Sequence, residues 1–303
     1  MSKATRIRRE NAREKIAAQR AAARKAEIRS RIFITGGSIL AVIVVVVAFI
    51  VIKASQNSPK TGSDGRTALP ASVIKDVTKV PAATLGAVGA GSAYAKSITS
   101  ISGGSGGSGA ALTSGGKPEV LYIGGEYCPY CATERWAMVV ALSRFGTFSG
   151  LSGIRSAGGA EAYPNTATVT FYKSTYTSKY LTFSSVEETT VSKATLQKPT
   201  SQQQALITKY DYPPYVAAAS EGAIPFVDFA NKYLVHGAQY SPQLLQGQTW
   251  AQIAAALNDK SSSIGKGADG AANMITAALC KLTHNQPANV CTSPAITSLE
   301  GQL

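Results

Sequence analysis

Two cysteines separated by two residues carry the clearest chemical signal in this sequence. Cys128 and Cys131 follow an apolar run, residues 120–123, and precede a stretch with helical character, residues 132–145. Cys128 is therefore expected at a helix N-terminus, where free backbone N–H groups and the helix dipole favour a thiolate over a thiol. A thiolate is the nucleophile of disulfide exchange. We expect Cys128 to attack from the exposed start of the helix, and Cys131, one turn inside, to be less accessible.

The other two cysteines leave alternative roles for this pair open. A Cys-x-x-Cys pair is half of many zinc sites, and Cys280, His284 and Cys291 are the residues that would complete one here. Closed zinc sites usually combine two tightly spaced pairs, so no metal is expected. A structural disulfide between Cys280 and Cys291 is favoured because it leaves the first pair free to cycle. An inert bridge between Cys128 and Cys131 is the second alternative.

The histidines and tyrosines add weaker signals. His236 and His284 are single histidines on a predicted hairpin and a helix end, and ordinary surface roles are favoured for both. Several tyrosines could shape a peptide-binding face, but packing in the core and rim of inserted elements is favoured for them: Tyr163, Tyr172, Tyr176, Tyr180, Tyr210, Tyr212 and Tyr215. The sequence contains no phosphate loop, dinucleotide fingerprint or Ser-His-Asp arrangement, and no bound cofactor is expected.

Residues 32–52 form a long apolar stretch. These 21 residues carry no charge, and at about 1.5 Å per residue they match a hydrocarbon core of roughly 30 Å. The stretch is longer than the apolar region of a secretory signal peptide and does not end in a small-x-small cleavage site. We therefore predict a single, uncleaved transmembrane helix.

The segment before this helix is strongly basic. Residues 1–31 contain eleven Lys or Arg and three Glu, and so hold +8 of the net charge of +13. The positive-inside rule predicts a cytoplasmic tail and places everything after Lys53 outside. Attraction to anionic lipid accounts for the charge. Nucleic acid is not an expected partner, because no aromatic residue precedes Phe33 and no base-reading motif is present.

Residues 53–116 have the character of a linker with one partly ordered segment. Residues 102–109 consist only of Gly and Ser and are predicted to be a flexible coil. Residues 69–91 are more apolar and are expected to pack on the domain as a short helix or an extended arm. Residues 117–303 are numerous enough to bury a full hydrophobic core as one domain.

The predicted elements of this domain follow a distinctive order. Periodicity and turn signals indicate, in sequence, a strand at 119–123, a helix at 132–145, an alternating strand at 166–175, a helix at 201–210, a hairpin of 226–229 and 232–237, and helices at 250–257 and 271–281. With a Cys-x-x-Cys after the first strand and Ile224–Pro225 before the hairpin, this is the order of a thioredoxin-like α/β fold with insertions, preceded by a single transmembrane helix.

Four runs of residues carry a resemblance to a known family: GKPEVLYIGGEYCPYCATERWAMVVALSRFGTFSGL (116–151), YTSKYLTF (176–183), IPFVDFANKY (224–233) and NMITAALCKLT (273–283). On these runs, residues from about 69 to 291 resemble a membrane-anchored, thioredoxin-like domain-of-unknown-function family of archaea and actinobacteria. That family falls within the thioredoxin, glutaredoxin and disulfide-bond oxidoreductase superfamily. The resemblance implies the fold more than the activity, because the family is named for its missing function.

The resemblance implies roles for three residues. The nucleophile of the superfamily corresponds to Cys128, its resolving cysteine to Cys131, and its cis-proline to Pro225. We expect the Ile224–Pro225 peptide bond to be cis and to lie against the cysteine pair. An extended substrate segment would then pair with the backbone of Ile224 as an added strand.

Two features differ from thioredoxins. Tyr122 occupies the position of the buried aspartate that handles the proton of the second cysteine in that family, so another group must act. Glu126 and Glu134 are the proton-transfer candidates, although carboxylates near a helix start are more often only favoured by the dipole. The dipeptide Pro129–Tyr130 is that of glutaredoxins, which have potentials of about −200 to −230 mV against about −270 mV for thioredoxin and so imply a moderate oxidant.

These observations together predict a membrane-tethered, extracytoplasmic thiol-disulfide oxidoreductase that acts on secreted or envelope proteins. Its expected partners are protein thiols and disulfides outside the cytoplasm and a redox protein of the membrane. The alternative is a non-enzymatic binding or assembly module that holds Cys128 and Cys131 as a static disulfide.

Overall fold

The computed structural model describes residues 65–101 and 110–303, which form a mixed α/β domain. The strands of this part of the chain are β1 Thr99–Ser100, β2 Thr113–Ser114, β3 Lys117–Gly124, β4 Gly146–Ser149, β5 Ser152–Arg155, β6 Ala167–Thr170, β7 Thr175–Ser178, β8 Thr182–Glu187, β9 Phe226–Phe229 and β10 Tyr233–His236. Its α-helices are α1 Ala71–Thr78, α2 Ala82–Val88, α3 Pro129–Leu142, α4 Ser201–Tyr210, α5 Trp250–Ala256, α6 Ser263–Leu282, α7 Ala288–Cys291 and α8 Pro294–Glu300.

Strand β3 is the centre of the main sheet. It pairs in parallel with β8, with Gly124 opposite Glu187, and antiparallel with β9. β9 continues antiparallel to β10 and β10 to β1, while β2 pairs with the first residues of β3. Alternate β3 side chains enter two separate hydrophobic cores, Tyr122 the larger one and Ile123 the smaller one. Burial on both faces explains why this strand is a continuous apolar run.

Helix α3, which follows β3, lies inside the larger core. Every residue of α3 except Tyr130 is buried, because α6 and β6 pack against it. Trp136 is fully buried, and its Nε1–H donates to the carbonyl of Ala167 in β6 at 3.0 Å. On the other face of the sheet, Ile207 and Tyr210 of α4 close the smaller core. The helix that carries the cysteines is therefore held rigidly on several sides.

Residues 65–91 pack onto the domain, and within the arm expected at 69–91 they form the helices α1 and α2. Val73 of α1 and Leu85 of α2 are buried in the larger core. The side-chain amide of Asn273 in α6 donates to the carbonyl of Leu85 at 2.8 Å. The carbonyl of Ala90 approaches Gly270 of α6 so closely that a Cβ there would lie 2.2 Å from it. Only glycine allows this contact between the arm and α6.

The alternating strand predicted over residues 166–175 is present only in part, as β6. β6 ends at Thr170, and a turn follows in which Lys173 has a left-handed φ of 61°. β6 pairs with β5, outside the main sheet, and the parallel partner of β3 is β8 instead. The pattern misled because its threonines do not face solvent: the Thr168 hydroxyl is buried and donates to the carbonyl of Ala132 at 2.7 Å.

The helix predicted at 201–210 and the strand predicted at 226–229 have the expected ends, and the remaining predicted elements are present with different ends. α3 begins at Pro129, because Cys128 caps it, and it ends at Leu142 before the predicted boundary. α6 begins at Ser263, well before the predicted start at 271, because the side chain of Ser262 caps it by accepting the Gly265 N–H at 3.3 Å. Three glycines in its first two turns lower the helix propensity, so the sequence did not indicate a helix there.

The chain end is tied back by a disulfide. Cys280 at the end of α6 is bonded to Cys291 at the end of α7, and both residues are buried. This confirms the predicted structural disulfide. Because each sulfur is bonded to the other, neither is available to complete a zinc site with the first cysteine pair.

Three predicted segments lie outside the described residues: the basic tail at 1–31, the transmembrane helix at 32–52 and the Gly/Ser tract at 102–109. Across residues 65–101 and 110–303, no helix combines the length and the apolar composition that a membrane crossing requires.

Candidate functional site at Cys128 and Cys131

Cys128 is the N-cap residue of α3, as predicted. Its backbone is extended, with φ −78° and ψ 122°, and its Sγ accepts the backbone N–H of Cys131 at 3.2 Å. Pro129 takes the first helical position, where the missing N–H leaves no hydrogen bond unmade. The sulfur therefore lies at the positive end of the helix dipole, a position that stabilises a thiolate.

The two thiols differ in burial and in acidity. No disulfide joins them in this structure; Cys128 is 5 % exposed and Cys131 is 0 % exposed. The pKa of Cys128 is lowered, chiefly by a hydrogen bond from the Cys131 thiol, and further by the Cys131 backbone N–H and the charge of Arg135, against the opposing effect of burial. Burial raises the pKa of Cys131 well above its usual value. Cys128 is thus the more readily ionised of the two.

The loop before β9 covers the cysteine pair. The Ile224–Pro225 peptide bond is cis, as predicted, and the carbonyl of Ile224 accepts a hydrogen bond from Cys128 Sγ at 3.7 Å. The carbonyl of Pro225 accepts the N–H of Gly237 at 2.8 Å, which fixes this loop to the end of β10. The expectation of an exposed Cys128 is wrong, because the loop lies against its sulfur.

Glu126, the first proton-transfer candidate, is held in an ion pair. Arg66 Nη2 donates to Glu126 Oε1 at 2.9 Å and to Oε2 at 3.0 Å, and the Thr170 hydroxyl donates to Oε1 at 2.8 Å. The Arg66 guanidinium also lies over the Tyr172 ring, 4.3 Å from its centroid. The carboxylate is only 2 % exposed. It connects the N-terminal arm to the turn that precedes Cys128.

Glu134, the second candidate, is fully buried inside the domain rather than near the surface. Its Oε2 accepts the backbone N–H of Gln239 at 3.0 Å, while Oε1 has no partner among the described residues. Burial raises its pKa to about 8. Burial also raises the pKa of Tyr240, with a smaller contribution from the Glu134 carboxylate. Within residues 65–101 and 110–303, neither Glu126 nor Glu134 hydrogen bonds to a cysteine. Their role in proton transfer stays a prediction.

A buried ion pair beneath the cysteines was missed by the sequence analysis. Arg135 donates to Glu187 of β8 through Nε at 2.8 Å and Nη2 at 2.7 Å, and both side chains are 0 % exposed. Nη2 also donates to the carbonyl of Gly125 at 2.8 Å, and that same oxygen accepts the backbone N–H of Cys128 at 3.2 Å. The available signal was Glu134–Arg135, two charges within an otherwise apolar helix.

Tyr122 is neutral in this environment. It is fully buried, its ring contacts Phe171 edge to face at 5.0 Å, and Arg135 Cζ lies 5.8 Å from its ring centroid. Burial raises its pKa well above the usual value. Its hydroxyl has no hydrogen-bond partner among the described residues. Tyr122 therefore supplies no charged base in place of an aspartate.

Aromatic side chains form the rim of the site. Tyr130 is 41 % exposed and contacts the ring of Tyr163, 5.9 Å away, from the connection between β5 and β6. The Lys193 ammonium lies 4.9 Å from the centroid of the Tyr127 ring. Tyr210, in contrast, belongs to the smaller core. The predicted tyrosine set is therefore divided between rim and core.

The histidines lie apart from the cysteine pair. His236 is largely buried rather than on the surface: its Nε2 is 3.0 Å from the carbonyl oxygen of Tyr210, and burial lowers its pKa. His284 follows α6 with a left-handed φ of 53°. Neither residue contributes a contact to Cys128 or Cys131 in the described part of the chain.

The site is a dithiol at a helix N-terminus of a mixed α/β domain, with an acidified first thiol and a buried second one. Residues 107–281, more than half of the chain, match the family model described as Domain of unknown function (DUF929), and the chain belongs to this family. No curated protein and no solved structure matches the chain significantly.

Proposed function

We propose that this protein is a thiol-disulfide oxidoreductase with a thioredoxin-like fold. The observation that carries the proposal is the position of the Cys128 sulfur, which caps α3 beside the fully buried Cys131 and faces the carbonyl of Ile224. The order β3, α3, parallel β8, and then a cis X-Pro bond followed by the β9–β10 hairpin supports the fold assignment.

The chemistry balances with these two sulfurs alone. In the reducing direction the Cys128 thiolate attacks a substrate disulfide, forms a mixed disulfide and releases one substrate thiol. Cys131 then gives up its proton and attacks the Cys128 sulfur, which releases the second substrate thiol and leaves a Cys128–Cys131 bond. Two electrons and two protons pass to the substrate. The same steps in reverse oxidise a substrate dithiol.

The substrate in this proposal is an extended polypeptide. The backbone of Ile224 lies next to the reactive sulfur, which suits pairing with a substrate strand. Tyr127 precedes the motif and Tyr130 lies between its two cysteines, and both rings offer apolar contact to a substrate segment. Secreted and envelope proteins are the proposed substrates, and a membrane redox protein is the proposed partner.

The proposed location is the outer face of the cell membrane. Its support is the uncharged stretch at 32–52 and the basic segment before it, which favour an N-terminal tail in the cytoplasm. The confirmed disulfide between Cys280 and Cys291 is consistent with an oxidising compartment.

One observation favours the alternative, a non-enzymatic module with a static bridge. Cys128 is only 5 % exposed, and a covered sulfur reacts slowly. Alkylation after mild reduction separates the two functions. An oxidoreductase regains two reactive thiols at Cys128 and Cys131, with Cys128 modified first, while the Cys280–Cys291 disulfide of the same molecule stays closed as an internal control. If both disulfides resist the reductant equally, the static module is correct.

A further inference from the structure

A cationic group beside the motif turn, Arg135, is part of a buried ion pair. Arg135 follows Cys131 by one helical turn, so both side chains lie on one face of α3. Its Nη2 and the backbone N–H of Cys128 donate to the same atom, the carbonyl oxygen of Gly125. The guanidinium is therefore linked to Cys128, the residue that carries the reactive sulfur, through one carbonyl group that accepts a hydrogen bond from each.

Glu187 determines how much of this positive charge reaches the cysteines. It receives two hydrogen bonds from Arg135 and lies opposite Gly124, at the end of β3 that leads into the motif. Arg135 Nη1 is buried and has no hydrogen-bond partner in the described part of the chain. The guanidinium thus keeps a donor that the ion pair does not use.

Other charged and titratable groups around the motif are paired or hold their protons more strongly than usual. Glu126 is neutralised by Arg66, and Lys193 is paired with Glu161. Burial raises the pKa values of Tyr122, Tyr127, Glu134 and Glu188, so each of these groups holds its proton more strongly. Among the described residues, Arg135 is therefore the cation whose charge acts on the Cys128 thiolate, and Glu187 is its counter-ion.

We propose that the Arg135–Glu187 ion pair stabilises the reduced form of the cysteine pair and so directs the protein toward oxidising the dithiols of its substrates. The inference rests on the proposed function and gives it a direction. Arg135 is a positioning residue, because it acts on the sulfurs through charge and through the Gly125 carbonyl. A couple whose reduced form is stabilised is a stronger oxidant.

In the favoured direction a substrate thiolate attacks the Cys128 sulfur of the Cys128–Cys131 disulfide. The bond between the two protein sulfurs breaks, and Cys131 leaves as a thiolate that takes up a proton. The second substrate thiolate attacks the substrate sulfur of the mixed disulfide and releases Cys128 as a thiolate near Arg135. The substrate loses two electrons and two protons; the protein gains both electrons and one proton, on Cys131, and the other proton passes to water. A disulfide of the proposed membrane redox partner restores the oxidised protein, and oxidised glutathione takes that role in the test.

The test compares the full-length wild type with Glu187→Gln and with the neutral double variant Arg135→Gln/Glu187→Gln. Two properties are measured for each: the midpoint of the pH profile of Cys128 alkylation, followed on its peptide by mass spectrometry, and the equilibrium constant with glutathione. Glu187→Gln removes the compensating charge, so the midpoint falls and the constant moves about tenfold toward the reduced protein, or about 30 mV more oxidising. The double variant lacks the cation, so relative to wild type its alkylation midpoint rises and its equilibrium constant with glutathione moves toward the oxidised protein.

Glu119→Gln is the matched control, because Glu119 lies on the same strand pair at its opposite end; both properties stay at their wild-type values. An unchanged or reversed order among the three proteins overturns the inference. If Glu187→Gln alone does not fold, the comparison of the double variant with wild type tests the inference. The double variant leaves no buried charge unpaired and is therefore expected to fold. In a further outcome, the three proteins show the expected order while the wild type exchanges no disulfide with protein substrates. That result contradicts the proposed function and leaves the role of Arg135 intact.

Discussion

At the scale of single residues, the asymmetry between two thiols follows from their surroundings. Cys128 receives a backbone N–H and lies at a helix N-terminus, while Cys131 is enclosed by the core that α3 fills. The same residue type therefore has a lowered pKa at one position and a raised pKa three residues later. This difference assigns the attacking role to Cys128 within the proposed mechanism.

Trapping experiments test that assignment. Cys131→Ser is expected to accumulate mixed disulfides with other proteins, because the bond formed by Cys128 is no longer resolved. Cys128→Ser is expected to trap far less, since Cys131 is fully buried and holds its proton. Non-reducing electrophoresis followed by mass spectrometry of the trapped species measures both. Equal trapping by the two variants would contradict the assignment.

Glu134 gives a second residue-scale prediction, on pH and stability. Its pKa is raised by burial from 4.5 to about 8, so the folded state binds this proton more tightly than the unfolded state. The free energy of unfolding therefore falls as pH rises through that window and levels off above it. Glu134→Gln keeps an acceptor for the Gln239 N–H and cannot ionise. Above the folded pKa it should be more stable than wild type by the order of 1 kcal/mol or more, at about 1.4 kcal/mol per pKa unit.

The measurement is the denaturant midpoint of both proteins as a function of pH. Below the unfolded pKa of the carboxyl group, the two curves should coincide. A variant that is less stable than wild type at every pH would show that the ionised carboxylate is the form that the fold uses.

At the scale of elements, the N-terminal arm is attached to the site by one ion pair. Arg66 lies just before α1 and reaches Glu126, sixty residues away in sequence and two before Cys128. The arm thus fixes the turn between β3 and α3 from outside, while α1 and α2 fill part of the larger core.

Arg66→Gln should destabilise the domain by roughly 3 kcal/mol, because it leaves the Glu126 carboxylate buried without its cation. The double variant Arg66→Gln/Glu126→Gln is the control: it removes both charges and should lose clearly less. Urea unfolding of the three proteins measures the difference. Equal losses in the single and double variants would mean that the ion pair contributes only through packing.

The disulfide between α6 and α7 is a second link between elements. Cys280 and Cys291 close a loop of eleven residues, and in the chain-entropy model such a loop contributes about 2 to 3 kcal/mol. Cys280→Ser/Cys291→Ser should lower the melting temperature accordingly and leave the reactivity of Cys128 unchanged. An unaltered melting temperature would show that α7 and α8 are held by packing alone.

At the scale of the whole molecule, the prediction concerns which side of a membrane the domain occupies. The uncharged stretch at 32–52 and the +8 charge before it predict an outer domain and an inner tail. Protease added outside spheroplasts should remove the domain after Lys53 and spare the tail. A protected domain would place Cys128 in the cytoplasm and contradict both the proposed location and the proposed substrates.

The sequence by itself determined mainly those features of the protein that depend on residues close together in the chain. The N-cap at Cys128, the strand before it, the helix at Ser201–Tyr210 and the β9–β10 hairpin were all predictable from caps, periodicity and turn residues. The disulfide between Cys280 and Cys291 followed from assigning the other two cysteines to a redox pair. Each of these predictions needs only the chemistry of side chains that are close together in the chain, or the ability of cysteines to form disulfides.

Only the tertiary structure decided which strand runs beside β3, how far Cys128 is covered and which charge acts on it. β8 was missed because β6 has the more regular alternation, and nothing local shows that the hydroxyls of β6 bond inward. Arg135 and Glu187 are 52 residues apart in the sequence, and their pairing depends on the register of β3 and β8. The sequence thus identifies the thiols that can react, because only certain side chains have the chemistry to do so. Burial and the electric field select between them, and both come from residues that only folding brings together.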